Sequence, residues 1–151
     1  MTDHRSNADD LRFSHCGLCV ADLDRSIRFY VDGLGFEVAE GYDLDDSMLP
    51  GLAEALEVAS PVTLRSQMIT HGSLKIELIA YANPSVTGTP STSRGQVGLT
   101  HLNFIVGDVD AAAARLVAHG GTIVDGAELT GGVRLLFVAD PDGTRIELMR
   151  G

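Results

Sequence analysis

The chain has 151 residues, enough for one well-buried domain or for two small modules that share a core. Its 21 Asp and Glu outnumber its 11 Lys and Arg, and the net charge of −10 argues against nucleic acid or an anionic membrane as a main partner. No apolar run approaches the roughly 20 residues that span a bilayer. Residues 1–10 are polar and lack the apolar stretch of a secretory signal, so we expect a disordered N-terminus and a cytoplasmic protein.

The first predicted strand runs from Phe13 to Val20 and leads into a helix. In this strand His15 lies on the face opposite Leu18 and Val20. Asp22 is suited to cap the helix, because its carboxylate can accept the free N–H groups of the first turn. The stripe that predicts this helix has helical spacing and consists of Ile27, Tyr30, Val31 and Leu34.

Cys16 and Cys19 have the C-x-x-C spacing that raises zinc and redox interpretations. In a strand, residues three apart point to opposite faces, so these two thiols cannot easily share a metal ion or a disulfide. Two separately packed thiols is the favoured interpretation, with Cys19 on the same face as His15.

A second strand is predicted to begin at 36–38, and residues 43–58 then interrupt the pattern. The first half of the chain has 62 positions from His15 to Glu77, whereas the second half has 46 from His101 to Glu147, which is 16 fewer. The apolar residues that predict a short helix here are Leu49, Leu52, Ala53 and Leu56, with Pro50 near its first turn. The segment is interpreted either as a lid or pocket wall, or as a surface elaboration or subunit contact.

The rest of the chain alternates strands with turn signals. Strands at 62–69 and 73–80 form a predicted hairpin, residues 83–96 are a linker rich in Pro, Ser, Thr and Gly, and strands follow at 99–106, 122–124, 133–139 and 144–149. Asp108 is predicted to cap a helix whose inner face consists of Val109, Ala112, Leu116 and Val117. We therefore predict an α+β fold in which two βαβββ modules, 11–82 and 97–151, form one domain over 11–151.

The two halves repeat each other. His101 follows His15 by 86 positions, and the same offset relates Asp108 to Asp22. Each half closes on a matching strand, Leu74–Leu78 in the first and Thr144–Leu148 in the second, and each of these strands carries a central Glu. Each half therefore begins with a strand that carries a His and ends with a strand that carries a Glu.

This repetition predicts a metal site made of two imidazoles and two carboxylates. In each strand the candidate lies on the face opposite the aliphatic residues; Glu147, for example, is flanked by Ile146 and Leu148. A buried carboxylate is costly without a counter-charge, and a divalent ion would supply it. A lone strand His is more often a hydrogen-bonded core or rim residue and a lone Glu a solvent-facing one, but four such residues at equivalent repeat positions favour the metal.

The segments His15 to Gly35 and Asp140 to Leu148 resemble the vicinal oxygen chelate superfamily, which includes glyoxalase I, epimerases, extradiol dioxygenases and drug-binding proteins. The resemblance extends from Phe13 to Arg150. It implies paired βαβββ modules that form a curved sheet around a metal-binding cup, with one divalent ion (Ni, Co, Mn, Fe or Zn). By this resemblance the metal-ligand positions are His15, Glu77, His101 and Glu147.

The resemblance also implies a function. We expect a metal-dependent lyase or isomerase of the glyoxalase type, forming a metal-stabilised enolate by proton abstraction next to a carbonyl, with Glu147 as the first choice of base and Glu77 as the second. Cys19 and Tyr81 stand where glutathione-using glyoxalases have an Arg and an Asn that hold a glutathione carboxylate, so a substrate other than the glutathione hemithioacetal is predicted. The predicted substrate-binding residues are Cys19, Tyr81 and Asn103.

Three alternatives remain open at this point: an acyl-CoA epimerase, a metal-free small-molecule or drug-binding protein, and an Fe(II) dioxygenase. The epimerase would need basic residues near the site, and Arg65, Lys75 and Arg94 are the candidates. The drug-binding protein would not need the four candidate ligands, and a fourth ligand at Glu77 would crowd the oxygen and catechol of a dioxygenase. The expected partners are a small-molecule substrate and a second copy of the chain in a homodimer.

Overall fold

The computed structural model describes residues 11–129 and 134–151, with the backbone alone at 125–128. The predicted disorder of residues 1–10 and the predicted start of a strand at Val133 lie outside the described residues. Within the described ranges, no helix is long and apolar enough to cross a membrane.

The described residues form two four-stranded mixed sheets with helices between their strands. The strands are β1 Cys16–Cys19, β2 Glu37–Asp45, β3 Thr63–His71, β4 Leu74–Asn83, β5 Leu102–Val106, β6 Thr122–Leu129, β7 Leu135–Ala139 and β8 Arg145–Arg150. The helices are α1 Leu23–Arg28, which continues into a π-helical turn at Phe29–Gly33, α2 Leu52–Ala55 and α3 Val109–Ala118.

The two sheets have the same strand order, β1-β4-β3-β2 in the first and β5-β8-β7-β6 in the second. In each sheet the first strand pairs in parallel with the last strand of its module, and the remaining pairs are antiparallel. The predicted α+β class and paired βαβββ modules are confirmed. The two sheets remain separate in the described chain, so β1 and β5 are both edge strands.

Several strand ends differ from the predicted ones. The second strand, predicted to begin at 36–38, continues to Asp45, because β3 pairs with it as far as Asp45↔Thr63. The first strand of each module is shorter than predicted and starts just after its His, since its pairing begins at Cys16↔Ile76 and Leu102↔Ile146.

Both predicted helix caps are present. Asp22 accepts a hydrogen bond from the backbone N–H of Arg25, and Asp108 accepts one from Ala111, each at 2.9 Å. Both capping residues have extended backbone, the conformation that an N-cap adopts. The caps thus fix where the two long helices leave the sheets.

The aliphatic strand faces are buried as predicted, and they join both modules in one core. The buried strand residues include Leu18, Val20, Ile76, Leu78, Ile146 and Leu148, and each is at most 9% exposed. Phe29 and Ala113 are also buried although neither was in a predicted stripe, and Val117, predicted to face inward, is 44% exposed. Phe29 is buried because the helical layer of one module packs against the other module, where Phe29 lies against Gly121 and Leu116 lies against Gly33.

A buried polar cluster also connects the modules. The Tyr30 hydroxyl donates to Asp140 Oδ2 at 2.9 Å, and the other oxygen of Asp140 accepts from the backbone N–H groups of Asp142 and Thr144. Arg25 on α1 pairs with Asp142 at 2.5 Å. Burial raises the pKa of the Tyr30 hydroxyl well above its usual value, with a further contribution from Asp140, and burial also raises the pKa of the Asp140 carboxyl.

Replacing Tyr30 with Phe is expected to lower the free energy of unfolding at pH 8 by about 1.5–3 kcal/mol, because a buried hydrogen bond to a carboxylate is lost. The wild type is expected to lose stability between pH 8 and pH 11, since the unfolded Tyr30 releases its proton near pH 10 while the folded one keeps it. The deficit of Tyr30→Phe should therefore shrink as the pH rises. Urea unfolding at both pH values measures it.

Tyr42→Phe is the matched control, because Tyr42 is 47% exposed. Its effect should be small and the same at both pH values. A Tyr30→Phe deficit that stays constant from pH 8 to pH 11 would contradict this account of the cluster.

Candidate functional site

The first candidate pair lies where β1 and β4 run side by side. Gly17 pairs with Glu77 in the parallel register, and His15 immediately precedes β1. His15 Nε2 lies 3.2 Å from Glu77 Oε2, while His15 Nδ1 lies 2.9 Å from the Ser14 hydroxyl oxygen. The hydroxyl contact fixes the ring and leaves Nε2 directed at the carboxylate.

The second module repeats this arrangement. His101 Nε2 lies 3.1 Å from Glu147 Oε2, and His101 Nδ1 lies 2.9 Å from Thr100 Oγ1. The hydroxyl residue before each His was not among the predicted site residues. The signal was available, because Ser14 and Thr100 are themselves 86 positions apart.

The two carboxylates are held differently. The buried Ser66 hydroxyl donates to Glu77 Oε1 at 2.5 Å, so both oxygens of Glu77 have a partner. At Glu147 the Asn103 amide donates to Oε2 at 2.7 Å, and Oε2 is also the oxygen nearest His101. Within the described ranges, Glu147 Oε1 makes no hydrogen bond or ion pair.

The difference follows from single residues of the repeat. Asn103 stands 86 positions after Gly17, which has no side chain to offer Glu77. Ser66 lies two residues before Met68, the residue opposite Glu77. The equivalent position in the second module, two residues before Phe137, is Leu135, which has no hydroxyl to donate to Glu147. Asn103, predicted to bind substrate, thus contacts Glu147. Ser66 was not among the predicted site residues, because its only signal in the sequence is a polar residue within a strand.

Cys19 and Tyr81 extend the first pair along the same face, since alternate residues of β4 place Tyr81 on the side of Glu77. Burial, and secondarily the charge on Asp142, raises the pKa of the Cys19 thiol. Burial, with smaller contributions from Cys19 and Glu77, raises the pKa of the Tyr81 hydroxyl. Both groups therefore hold their protons at neutral pH, and both cysteines are free thiols, as predicted.

The inserted segment packs against this same face. A second apolar cluster joins Ala53 of α2 to Leu64 of β3 and to Ile79 and Tyr81 of β4. The Asp46 carboxylate anchors the segment by accepting hydrogen bonds from the backbone N–H groups of Ala53 and Val62. The insertion thus forms a wall beside the first pair, which favours the pocket-wall interpretation.

A cavity of about 250 Å³ lies beside His101 of the second pair. His101 lines this cavity together with Gly17 and Cys19 of β1 and with Pro90 and Ser91 of the linker. The ring of Phe137 meets the ring of His101 edge to face, with their centres 5.5 Å apart. The linker therefore forms part of the surroundings of the second pair.

The four predicted ligands do not form one cluster in the described chain. Among residues 11–129 and 134–151, no three His, Cys, Asp or Glu side chains lie close enough together to hold a metal ion. Each pair nevertheless suits half of a metal site. Two ligand atoms that each lie about 2.1 Å from one metal ion, with an angle of about 90° at the ion, are about 3 Å apart. The Nε2–Oε2 distances in the two pairs, 3.2 and 3.1 Å, are close to this value.

The chain matches one protein family over almost its whole length. The model of the Glyoxalase/Bleomycin resistance protein/Dioxygenase superfamily matches residues 12–148. The chain is 34% identical over 146 residues to the 2-epi-5-epi-valiolone epimerase of an Actinomyces species, covering 89% of this chain and 76% of that protein. It is 27% identical over 143 residues to the catechol-2,3-dioxygenase of Bacillus subtilis (strain 168), covering 93% of this chain but only 41% of that protein.

The solved structure of a glyoxalase family protein from Bacillus cereus has a TM-score of 0.75 to this chain at 22% identity. The superposition covers 93% of each of the two chains. At that identity the likeness supports the fold alone.

Proposed function

Because the chain belongs to the Glyoxalase/Bleomycin resistance protein/Dioxygenase superfamily, we propose that it is a metal-dependent isomerase that removes and returns a proton on a carbon next to a carbonyl group. The observation that carries this proposal is the pair of equivalent His–Glu contacts, 3.2 and 3.1 Å long, one in each repeated sheet. Two imidazoles and two carboxylates suit a borderline divalent ion. Such an ion, when bound, supplies Lewis acidity at the carbonyl oxygen.

We propose that the complete centre contains one pair from each of two chains. The described part of one chain lacks a cluster of three donors, which supports a second copy as the source of the other half of the site. A twofold axis would join the first pair of each chain to the second pair of its partner and create two equal sites. This fits the open edges of β1 and β5.

The surface next to these edges supports the dimer. Large apolar side chains are exposed just before β1, just before β5 and on β5 itself; they are Leu11, Phe13, Val97, Leu99 and Ile105. Contiguous exposed apolar surface is typical of an interface. A homodimer would cover these side chains while it assembles the two sites.

Glu147 is the proposed base. One of its oxygens is held by Asn103 and His101, and Oε1 has no partner among the described residues, so Oε1 is available to accept a proton from substrate. Glu77 has both oxygens engaged, by Ser66 and His15, which suits a fixed ligand better than a proton carrier. Epimerisation adds the returning proton to the opposite face of the same carbon, so that proton would come from a donor on that face, such as solvent water, while Glu147 passes the proton it took to solvent.

Among the reactions that share this proton step, we propose epimerisation rather than glyoxalase-type isomerisation of a glutathione hemithioacetal. The relative at 34% identity is named an epimerase. Cys19 and Tyr81 have no positively charged group that could bind a glutathione carboxylate. The inserted segment also covers part of the sheet surface beside Glu77. The similarity to a catechol dioxygenase covers only 41% of that protein. In a dioxygenase, Glu77 as a fourth metal ligand would crowd the oxygen and the catechol.

Metal content and proton exchange test the proposal together. Protein purified without chelator is expected to hold about one divalent ion per chain, measured by elemental analysis, and to lose its activity when EDTA removes the ion. In deuterated buffer it should exchange the proton next to the carbonyl of an epimerisable ketone or acyl thioester, observed by NMR. The panel is 2-epi-5-epi-valiolone, methylmalonyl-CoA and hemithioacetals of several thiols, with oxygen uptake on catechol measured alongside.

Exchange that requires a hemithioacetal would favour a lyase, and oxygen uptake would favour a dioxygenase. Failure to take up Ni, Co, Mn, Fe or Zn would remove the enzymatic proposal and leave a small-molecule-binding protein.

A further inference from the structure

A cationic side chain stands beside the second pair. The guanidinium carbon of Arg94 lies 3.8 Å from the centre of the Phe137 ring, a cation–π contact. Phe137 is directly opposite Glu147 in the β7–β8 register and touches the ring of His101. Arg94 is thus connected to both residues of the second pair through one aromatic ring.

The Arg94 guanidinium has no polar partner in the part of the chain that the structure describes, although the protein carries an excess of acidic residues. The other two basic residues predicted to lie near the site form ion pairs with acidic side chains. Arg65 pairs with Asp24 and Asp43, and Lys75 pairs with Glu40. The five N–H donors of Arg94 therefore make no hydrogen bond or ion pair among the described residues, while the Phe137 ring holds the guanidinium carbon over its face.

The linker segment that carries Arg94 is held in place. Arg145 Nη1 donates to the Ser91 carbonyl at 2.6 Å, and the Ser91 hydroxyl contacts Gln96 Oε1 at 2.6 Å. The backbone N–H of Ser93 donates back to the Ser91 hydroxyl. Hydrogen bonds therefore restrain the loop of residues 91–96 on both sides of Arg94, which reduces the ordering that binding requires.

We propose that Arg94 selects an anionic substrate by binding its carboxylate or phosphate group while the reacting carbon lies against Glu147. A planar guanidinium fork matches the two oxygens of either group. This inference rests on the proposed function for the position of the reacting carbon; the anion subsite itself needs only the Arg94–Phe137 geometry. It assigns a specificity-determining residue to the linker.

The test measures anion binding directly, with full-length protein as purified and again after EDTA treatment. NMR titrations with succinate and with inorganic phosphate distinguish the two anion types, and dimethyl succinate is the neutral probe. Arg94→Gln is expected to weaken anion binding by about tenfold or more, as loss of a charge-assisted contact implies, and Arg94→Lys and Phe137→Leu should fall in between. Binding of the neutral ester should not change.

Arg28→Gln is the matched control, because it removes the same charge from an exposed residue of α1, on the helical side of the first sheet. Its anion affinity should equal that of the wild type. Unchanged anion affinity in Arg94→Gln, or an equal loss in Arg28→Gln, would overturn the inference. If the wild type binds anions through Arg94 but takes up no metal, the proposed function fails and the anion subsite stands.

Discussion

Glu147→Gln is expected to lower the rate of proton exchange by a factor of about 10²–10⁴, the range that a positioned general base contributes. The amide keeps the size of the side chain and an oxygen that can still bind a metal ion, but it cannot accept the proton. Most of the divalent ion should therefore remain bound. Deuterium incorporation by NMR gives the rate, and elemental analysis of the same sample gives the metal content.

Two further variants separate the base from a ligand. Glu77→Gln should lose metal affinity more than Glu147→Gln does, because both oxygens of Glu77 are engaged in the folded chain. Glu54→Gln, in α2, should behave as the wild type in both measurements, since Glu54 lies outside both pairs. Wild-type exchange rates in Glu147→Gln would refute its role as the base.

The second large effect concerns two inactive proteins that restore each other. A chain with His15→Ala and Glu77→Ala lacks the first pair, and a chain with His101→Ala and Glu147→Ala lacks the second. If each site joins a first pair to the partner's second pair, neither homodimer has an intact site and the mixed dimer has one. Equal amounts, refolded together and combined at random, should recover about one quarter of the wild-type metal content and activity.

The controls for this experiment follow from the same geometry. Each double variant alone should bind little metal and should remain dimeric by analytical ultracentrifugation. Either double variant refolded alone by the same procedure should recover neither metal content nor activity. Mixed protein that forms hybrid dimers but recovers neither metal nor activity would place all four donors within one chain and contradict the shared centre.

Much of the local structure could be predicted from the residues in order. The offset of 86 positions identified the repeat, Asp22 and Asp108 identified both helix starts, and alternation along each strand identified the faces that carry His and Glu. These features depend on neighbours a few residues away, through capping and the two-residue period of a strand. These features can therefore be predicted without knowing how the rest of the chain folds.

Contacts between the modules could not be predicted in this way. Phe29 is buried because it lies against Gly121 of the second module, not because of the periodicity of its helix. The hydrogen bond from Ser66 to Glu77 depends on the β3–β4 register. The stacking of Arg94 on Phe137 depends on the path of a linker that carries no periodic pattern.

The sequence by itself determined a repeated α+β fold, the four candidate donors and the face of each strand on which they lie. Only the tertiary structure decided that the donors form two separate His–Glu pairs in one chain, each near 3 Å, and that of Glu77 and Glu147 only Glu147 keeps a carboxylate oxygen without a partner among the described residues. The reason is physical. Side-chain direction follows from local backbone geometry, whereas the separation of two sheets is set by the packing of their helices and by the long-range contacts between modules.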